Sequence, residues 1–333
     1  MKPTLATATV ANDPDDPAIW VSKSSPNTAL ILGTDKVETS GALYVFGLSG
    51  AIKQVITPLD RPNNVDVEYG LMINGKPVDI AVVTERKQHR LRIYGIPADG
   101  GFLYELTPGG VPVLSGETGQ ASEPMGIGLY RRPSDGAIFA IVAPKTGGRE
   151  NYLWQYRLDD NGTGGVQATL VRRFGAFSGL GPTPGEAGEI EAVAVDDAMG
   201  FVYYSDERFG IRKYAADPAA ADAARELAAF GTDGYLGDRE GLAIFETGPT
   251  SGFIVSSDQV PGGTRVMLYP REGTTAGPHA HPRVGVVPTV SDETDGLDVV
   301  SASLPGFPGG LLVMMNSTAR NFLLYSFSFF HAS

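Results

Sequence analysis

Acidic and basic side chains recur in this chain at the ends of short apolar runs. After one series of runs come Asp35-Lys36, Glu85-Arg86, Lys145, Asp206-Glu207, Asp258 and Asn316. Before or within another series lie Asp13, Asp15 and Asp16; Asn63, Asn64 and Asp66; Glu191; Asp238 and Glu240; and Asp292, Asp295 and Asp298. Carboxylates crowded in this way repel one another unless cations neutralise them. With no cysteine and four histidines, the oxygen donors point to calcium rather than zinc. Lys36, Arg86 and Lys145 all fall in the first half, while most later carboxylates have no adjacent base. A basic arc facing calcium-loaded carboxylates would hold several phosphate groups. Charges at strand ends also solvate loops, and Asp295-Gly296 alone is an ordinary turn signal. Repetition at one place in a repeat is what favours a site.

The repeat itself is marked by aromatics. Phe46, Tyr94, Tyr156, Tyr214, Tyr269 and Tyr325 are 48, 62, 58, 55 and 56 residues apart. Each closes a strand-like run and follows two earlier ones, several of them continuously apolar, as strands covered on both faces are. Six such units predict an all-β fold, a six-bladed β-propeller, rather than a solenoid with shorter repeats. The start of a blade's first strand then lies beside the end of its second, so both charged series converge on one mouth of the channel. Residues 4–10 are β-prone without a partner in the first repeat, and are expected to join the last blade and close the ring. Residues 218–230 are alanine-rich and predict a short helix between blades. No domain boundary interrupts residues 1–333.

Composition narrows the function. The net charge of -12 argues against a nucleic-acid binder, since phosphate backbones would be repelled. Nothing approaches an 18-residue apolar run, so no membrane span is expected. The absence of cysteine excludes disulfides and thiolate chemistry. His89, His279, His281 and His331 are scattered; the pair His279-Ala-His281 sits in a Gly/Pro-rich stretch and is expected in a solvent-exposed loop without a third metal ligand.

Five stretches resemble the calcium-dependent β-propeller phytases: Asp13-Pro-Asp-Asp-Pro-Ala-Ile-Trp20, Asn63-Asn-Val-Asp-Val67, Glu189-Ile-Glu191 with Asp206-Glu207, Asp238-Arg-Glu-Gly-Leu242, and Ser291-Asp-Glu-Thr-Asp-Gly-Leu-Asp298. They span nearly the whole chain in order. The resemblance implies hydrolysis of phosphomonoesters of inositol hexakisphosphate by water activated on clustered calcium ions. It implies that Glu191, Glu207, Asp238, Glu240, Asp292 and Asp295 hold catalytic calcium with Asp15 and Asp16 close by. Asn63, Asn64 and Asn321 would belong to structural calcium sites, and the motif residues Asp66 and Asp206 complete the expected metal set. Lys36, Arg86 and Lys145 match the phosphate-binding bases. Glu191, Asp238, Glu240, Lys36 and Arg86 are the expected catalytic group. Where the family places a tyrosine, Glu123-Pro-Met-Gly126 carries Met125. A secreted or periplasmic monomer acting on phytate is expected. The alternatives are another six-bladed calcium hydrolase of lactonase or phosphotriesterase type, or a noncatalytic propeller that binds a polyanion or a protein.

Overall fold

The structure is a computed structural model that describes residues 1–25 and 27–327. Six antiparallel sheets form it. Blade 1 comprises Pro14–Val21, Ala29–Asp35, Gly41–Gly47 and Ile52–Leu59. Blade 2 comprises Pro62–Ile73, Lys76–Glu85 and Arg90–Ile96, with Tyr104–Glu105 and Val111–Pro112 sharing its outer edge. Blade 3 follows with Pro124–Arg131, Ile138–Pro144, Glu150–Asp160 and Val166–Ala176. Blade 4 is Val193–Asp196, Phe201–Asp206, Gly210–Ala215 and Ala228–Phe230, and blade 5 is Leu242–Glu246, Gly252–Asp258, Arg265–Pro270 and Gly285–Pro288. Blade 6 has Leu297–Val300, Leu311–Asn316 and Asn321–Ser326, and its outer strand is Leu5–Ala6 from the amino terminus. Leu5 pairs with Leu324 and Ala6 with Leu323, so the ring closes as expected, through a shorter strand than residues 4–10. His331 and Ser328, the last residue of the final strand-like run, lie outside the described residues.

The first strands touch in cyclic order around the axis, which makes this a six-bladed propeller. Apolar side chains fill the spaces between blades rather than one central core. Between blades 1 and 2, for example, Trp20, Leu32, Leu43, Val83 and Tyr94 pack together. Each aliphatic side chain buried this way contributes about 2 kcal/mol. All six marker aromatics are buried.

Two expectations change. Blades 1 to 5 each have a fourth, outer strand that the apolar pattern did not reveal. Half its residues face solvent, as the burial of Ile52–Leu59 and Gly285–Pro288 shows. The expected helix at 218–230 does not form. Turns close at Ala220, Ala223 and Arg225, and Ala228–Phe230 pairs with the third strand of blade 4. Helix propensity is a weak prior over so short a stretch, and the open edge of that third strand outcompetes it.

Candidate functional site

Register defines which residues share a level. Pro17 pairs with Gly33, Val65 with Val83, Ile127 with Val142, Val193 with Tyr204, Leu242 with Ser256 and Leu297 with Met314. Two residues earlier in each blade stand Asp15, Asn63, Met125, Glu191, Glu240 and Asp295. These six form an inner ring at the channel mouth. In blades 1 to 3 this position falls in a β-bulge, between Pro14 and Pro17, Pro62 and Val65, and Pro124 and Ile127. Bulges re-aim side chains, and in blades 1 and 2 they set Asp15 beside Lys36 and Asn63 beside Arg86. The position after each inner-ring residue must be small where the ring closes tightly. A Cβ on Gly126 would come within 2.1 Å of the Glu191 carbonyl oxygen, and one on Gly296 within 2.4 Å of Asp16 Oδ1.

An outer ring comes from the residue after each second strand: Lys36, Arg86, Lys145, Glu207, Gln259 and Ser317. The two rings interlock. Lys36 Nζ lies 2.5 Å from Asp15 and 3.3 Å from Asp295, and Gln259 donates to Asp295 at 2.7 Å. Arg86 donates to Asn63 Oδ1 at 3.0 Å and to Glu123 at 2.9 Å, with Lys87 on the other Glu123 oxygen at 2.8 Å. Asn63 in turn donates to Glu191. Lys145 pairs with Glu189, and Arg208 with Asp238. Between blades 3 and 5 these groups leave a cavity of about 520 Å³, lined by Lys145, Glu189, Glu191, Glu207, Asp238 and Glu240 among others.

The electrostatics of this mouth are unbalanced. Burial raises the pKa of Glu240 and Glu207 well above the usual carboxylate range, and their neighbours, Glu191 foremost among the shared ones, raise it further. Burial also raises Asp15 and Asp295, even with Lys36 beside them. Asp238 is raised by burial against the pull of Arg208. Burial alone would lower Lys36, but Asp15, Glu191 and Asp295 outweigh it and raise its pKa. One oxygen of each of Glu189, Glu191 and Glu207 lies within 4.8 Å of the others. Glu207 Oε1 is buried without a hydrogen-bond partner. An oxygen-only donor set with an orphaned buried oxygen and an excess of negative charge fits a hard divalent cation.

Not every expected residue joins this mouth. Asp16, Asn64 and Asp66 lie one level down, where with Asp298 they line a channel cavity of about 150 Å³. Three of them fasten neighbouring blades: Asp16 accepts from Val65 N, Asp66 from Leu129 N and Asp298 from Ile19 N. Burial pushes Asp66 up to about 8 and Asp298 to about 6. Asp206 has both oxygens engaged, by Ser178 and Arg212. Asp292 and Asn321 sit on the blade 6 rim, tied to Asn316.

Asp206 belongs to a second pattern that sequence reasoning merged with the first. The last residue of the second strand grips the backbone that leads into its own blade. Asp35 accepts from Asp13 N, Glu85 from Asp60 N, Asp206 from Ser178 N, Asp258 from Leu236 N and Gly237 N, and Asn316 from Asp292 N. Strand alternation then points the following residue into the mouth. Glu189, Gln259 and Glu123 were not expected as site residues. Glu189 had a signal, because it lies two residues before Glu191, the spacing that puts side chains on one side of an extended chain. The histidine expectation fails for His281, which is buried. Its Nδ1 donates to the Pro270 carbonyl, and Lys213 of blade 4 donates to its Nε2 at 3.1 Å.

Comparison with known proteins gives the family of the chain. The profile of the family described as Phytase matches residues 2–321. A 3-phytase of Bacillus subtilis (strain 168) is 30% identical over 304 residues, covering 90% of this chain and 73% of that protein. The crystal structure of regucalcin, a calcium-binding protein from Agrobacterium tumefaciens str. C58, superposes with a TM-score of 0.53 at 11% identity, covering 96% of this chain and 87% of that one. That last likeness concerns the fold alone.

Proposed function

From the premise that this chain belongs to the phytase family and is a phosphatase-type hydrolase of phytate, we propose that it works with calcium held by the mouth carboxylates. Asp15, Glu191, Glu207, Asp238, Glu240 and Asp295 are the ligands in this reading. Bound calcium lowers the pKa of water and spreads the charge of the transferring phosphoryl group. The protein supplies the rest. Lys36 sits between Asp15 and Asp295 and Arg86 between Asn63 and Glu123, so both bases are held in place before substrate arrives. Arg86 offers a planar fork that matches two phosphate oxygens, and Lys36 and Lys145 offer point charges. Burial and neighbouring carboxylates raise the pKa of Glu207 and Glu240, and a bound cation would offset that cost of charge. No covalent nucleophile is required.

The observation that carries this reading is the orphaned Glu207 oxygen facing Glu189 and Glu191 across a charged cavity. The charged side chains that line the mouth suit a polyanion and cations better than an apolar ester or lactone, and a purely protein-binding ring would have no use for buried like charges. Asp16, Asn64 and Asp66 below the mouth, and Asp206, Asp292 and Asn321 away from it, serve the framework. No helix among the described residues is long and apolar enough to cross a membrane, and we place the enzyme as a secreted or periplasmic monomer.

The test is phosphate release from phytate in millimolar calcium and in excess EDTA, with Glu240→Gln alongside. Release that needs calcium and is lost in the variant is the expected result. Equal release in EDTA would refute the calcium role.

A further inference from the structure

Glu189 lies two residues before the inner-ring residue Glu191, as Asp238 does before Glu240. It comes from the connection between blades 3 and 4, residues 177–192. That connection folds tightly on itself: a Cβ on Gly188 would meet the Leu180 carbonyl oxygen at 1.9 Å, and one on Gly181 the Glu186 carbonyl at 2.3 Å. Its side chain pairs with Lys145, and the two are 26% and 21% exposed. The same carboxylate offers an oxygen within 4.8 Å of Glu191 and Glu207, and Glu207 Oε1, on a side chain 7% exposed in its residue, has no partner.

Glu189 therefore faces two competing partners. A divalent cation among Glu189, Glu191 and Glu207 would draw the Glu189 charge to itself. It would also repel the Lys145 ammonium, since both are positive and only a few ångströms apart. Lys36 and Arg86 are also held by acidic or amide groups, but their partners Asp15, Asp295 and Asn63 are ring residues and Glu123 immediately precedes a strand. The Lys145 partner, Glu189, differs from these in also belonging to a carboxylate cluster that includes the orphaned Glu207 oxygen.

We infer that Glu189 is a switch ligand: without a cation it occupies Lys145, and with one it turns to the cation and frees Lys145 for substrate phosphate. This rests on the calcium–phosphate reading of the mouth. It goes further by making one phosphate contact conditional on cation occupancy, so that cation binds before phosphate at this position. Glu189 is a positioning residue for Lys145 as well as a ligand.

The experiment is calorimetric titration of the full chain, first with inorganic phosphate in EDTA, then with calcium alone, for wild type, Glu189→Gln and Glu189→Gln/Lys145→Met. Glu189→Gln keeps the shape of the side chain at a partly exposed position, and melting curves establish that each variant is folded. In EDTA the single variant is expected to bind phosphate about tenfold more tightly than wild type, equivalent to about 1.4 kcal/mol. The double variant should lose that gain. Calcium affinity should fall about tenfold in the single variant. Wild type that binds calcium, with Glu189→Gln unchanged in both titrations, overturns the switch and leaves the calcium reading intact. Wild type that binds no calcium overturns both.

Discussion

Asp206 and Glu207 are neighbours in sequence under opposite constraints. Asp206 accepts from Ser178 N, Ser178 Oγ and Arg212, and so holds the loop leading into blade 4. Glu207, turned the other way by strand alternation, has an oxygen without a partner and faces Glu191, Glu189 and Asp238. The same split recurs in blades 1 and 2, where Asp35 and Glu85 are loop latches while Lys36 and Arg86 enter the mouth. Along this rim, alternate positions separate charge that holds the fold from charge left for a ligand. Removing a partner from satisfied buried charge is costly, and unsatisfied buried charge costs stability until something binds it.

Variants at the two kinds of position should therefore behave differently. The largest effect is expected from Glu240→Gln, which removes an inner-ring carboxylate. Phosphate release should fall on the order of 10²–10³-fold, the scale of losing one preorganised charge-stabilising group. Its metal-free melting temperature should be no lower than that of wild type, because a repelling charge is gone. A latch variant should do the reverse. Asp258→Ala strips the acceptor from Leu236 N, Gly237 N and Arg265 and should cost about 3 kcal/mol in urea unfolding, with the turnover of the folded fraction retained. A loss of activity without a loss of stability there would erase the distinction.

Chelation should come next in size. With calcium at 100 times its Kd, one site adds about 2.7 kcal/mol to stability, so EDTA should lower the melting temperature of wild type clearly and that of Glu207→Gln much less. The smallest effect lies far from the mouth. Burial lowers Lys213 to about 8, from 10.5 for a free lysine, against the opposing charge of Asp196. The folded chain then binds fewer protons than the unfolded chain between about pH 8 and 10.5, and stability rises with pH across that window. Lys213→Met lacks this term. The melting temperature of wild type relative to that variant should climb from pH 8 to pH 10, and a flat difference would contradict the lowered Lys213 pKa.

Much of this was legible in the sequence. The buried marker aromatics, the three inner strands of each blade and the closing amino-terminal strand follow from period and apolarity. The outer strands of blades 1 to 5 did not show because their exposed faces erase the pattern. The convergence of Lys36, Arg86 and Lys145 on the carboxylates was also readable, since strand ends fix the level. What sequence could not separate was Asp206 from Glu207, or Asp15 from Asp16: adjacent acids look alike until alternation and bulges assign each a direction. Glu189 escaped because nothing in the sequence shows its pairing with Lys145, 44 residues away. His281 escaped because its partner, Lys213, lies 68 residues away.

The most direct test is calorimetric titration of calcium into metal-free wild type, Asp206→Asn and Glu207→Gln under one buffer condition. Asp206→Asn should keep the wild-type affinity to within about twofold, while Glu207→Gln should lose at least about tenfold, or about 1.4 kcal/mol. The opposite order, or equal losses in both, would contradict the division of this rim into latches and ligands.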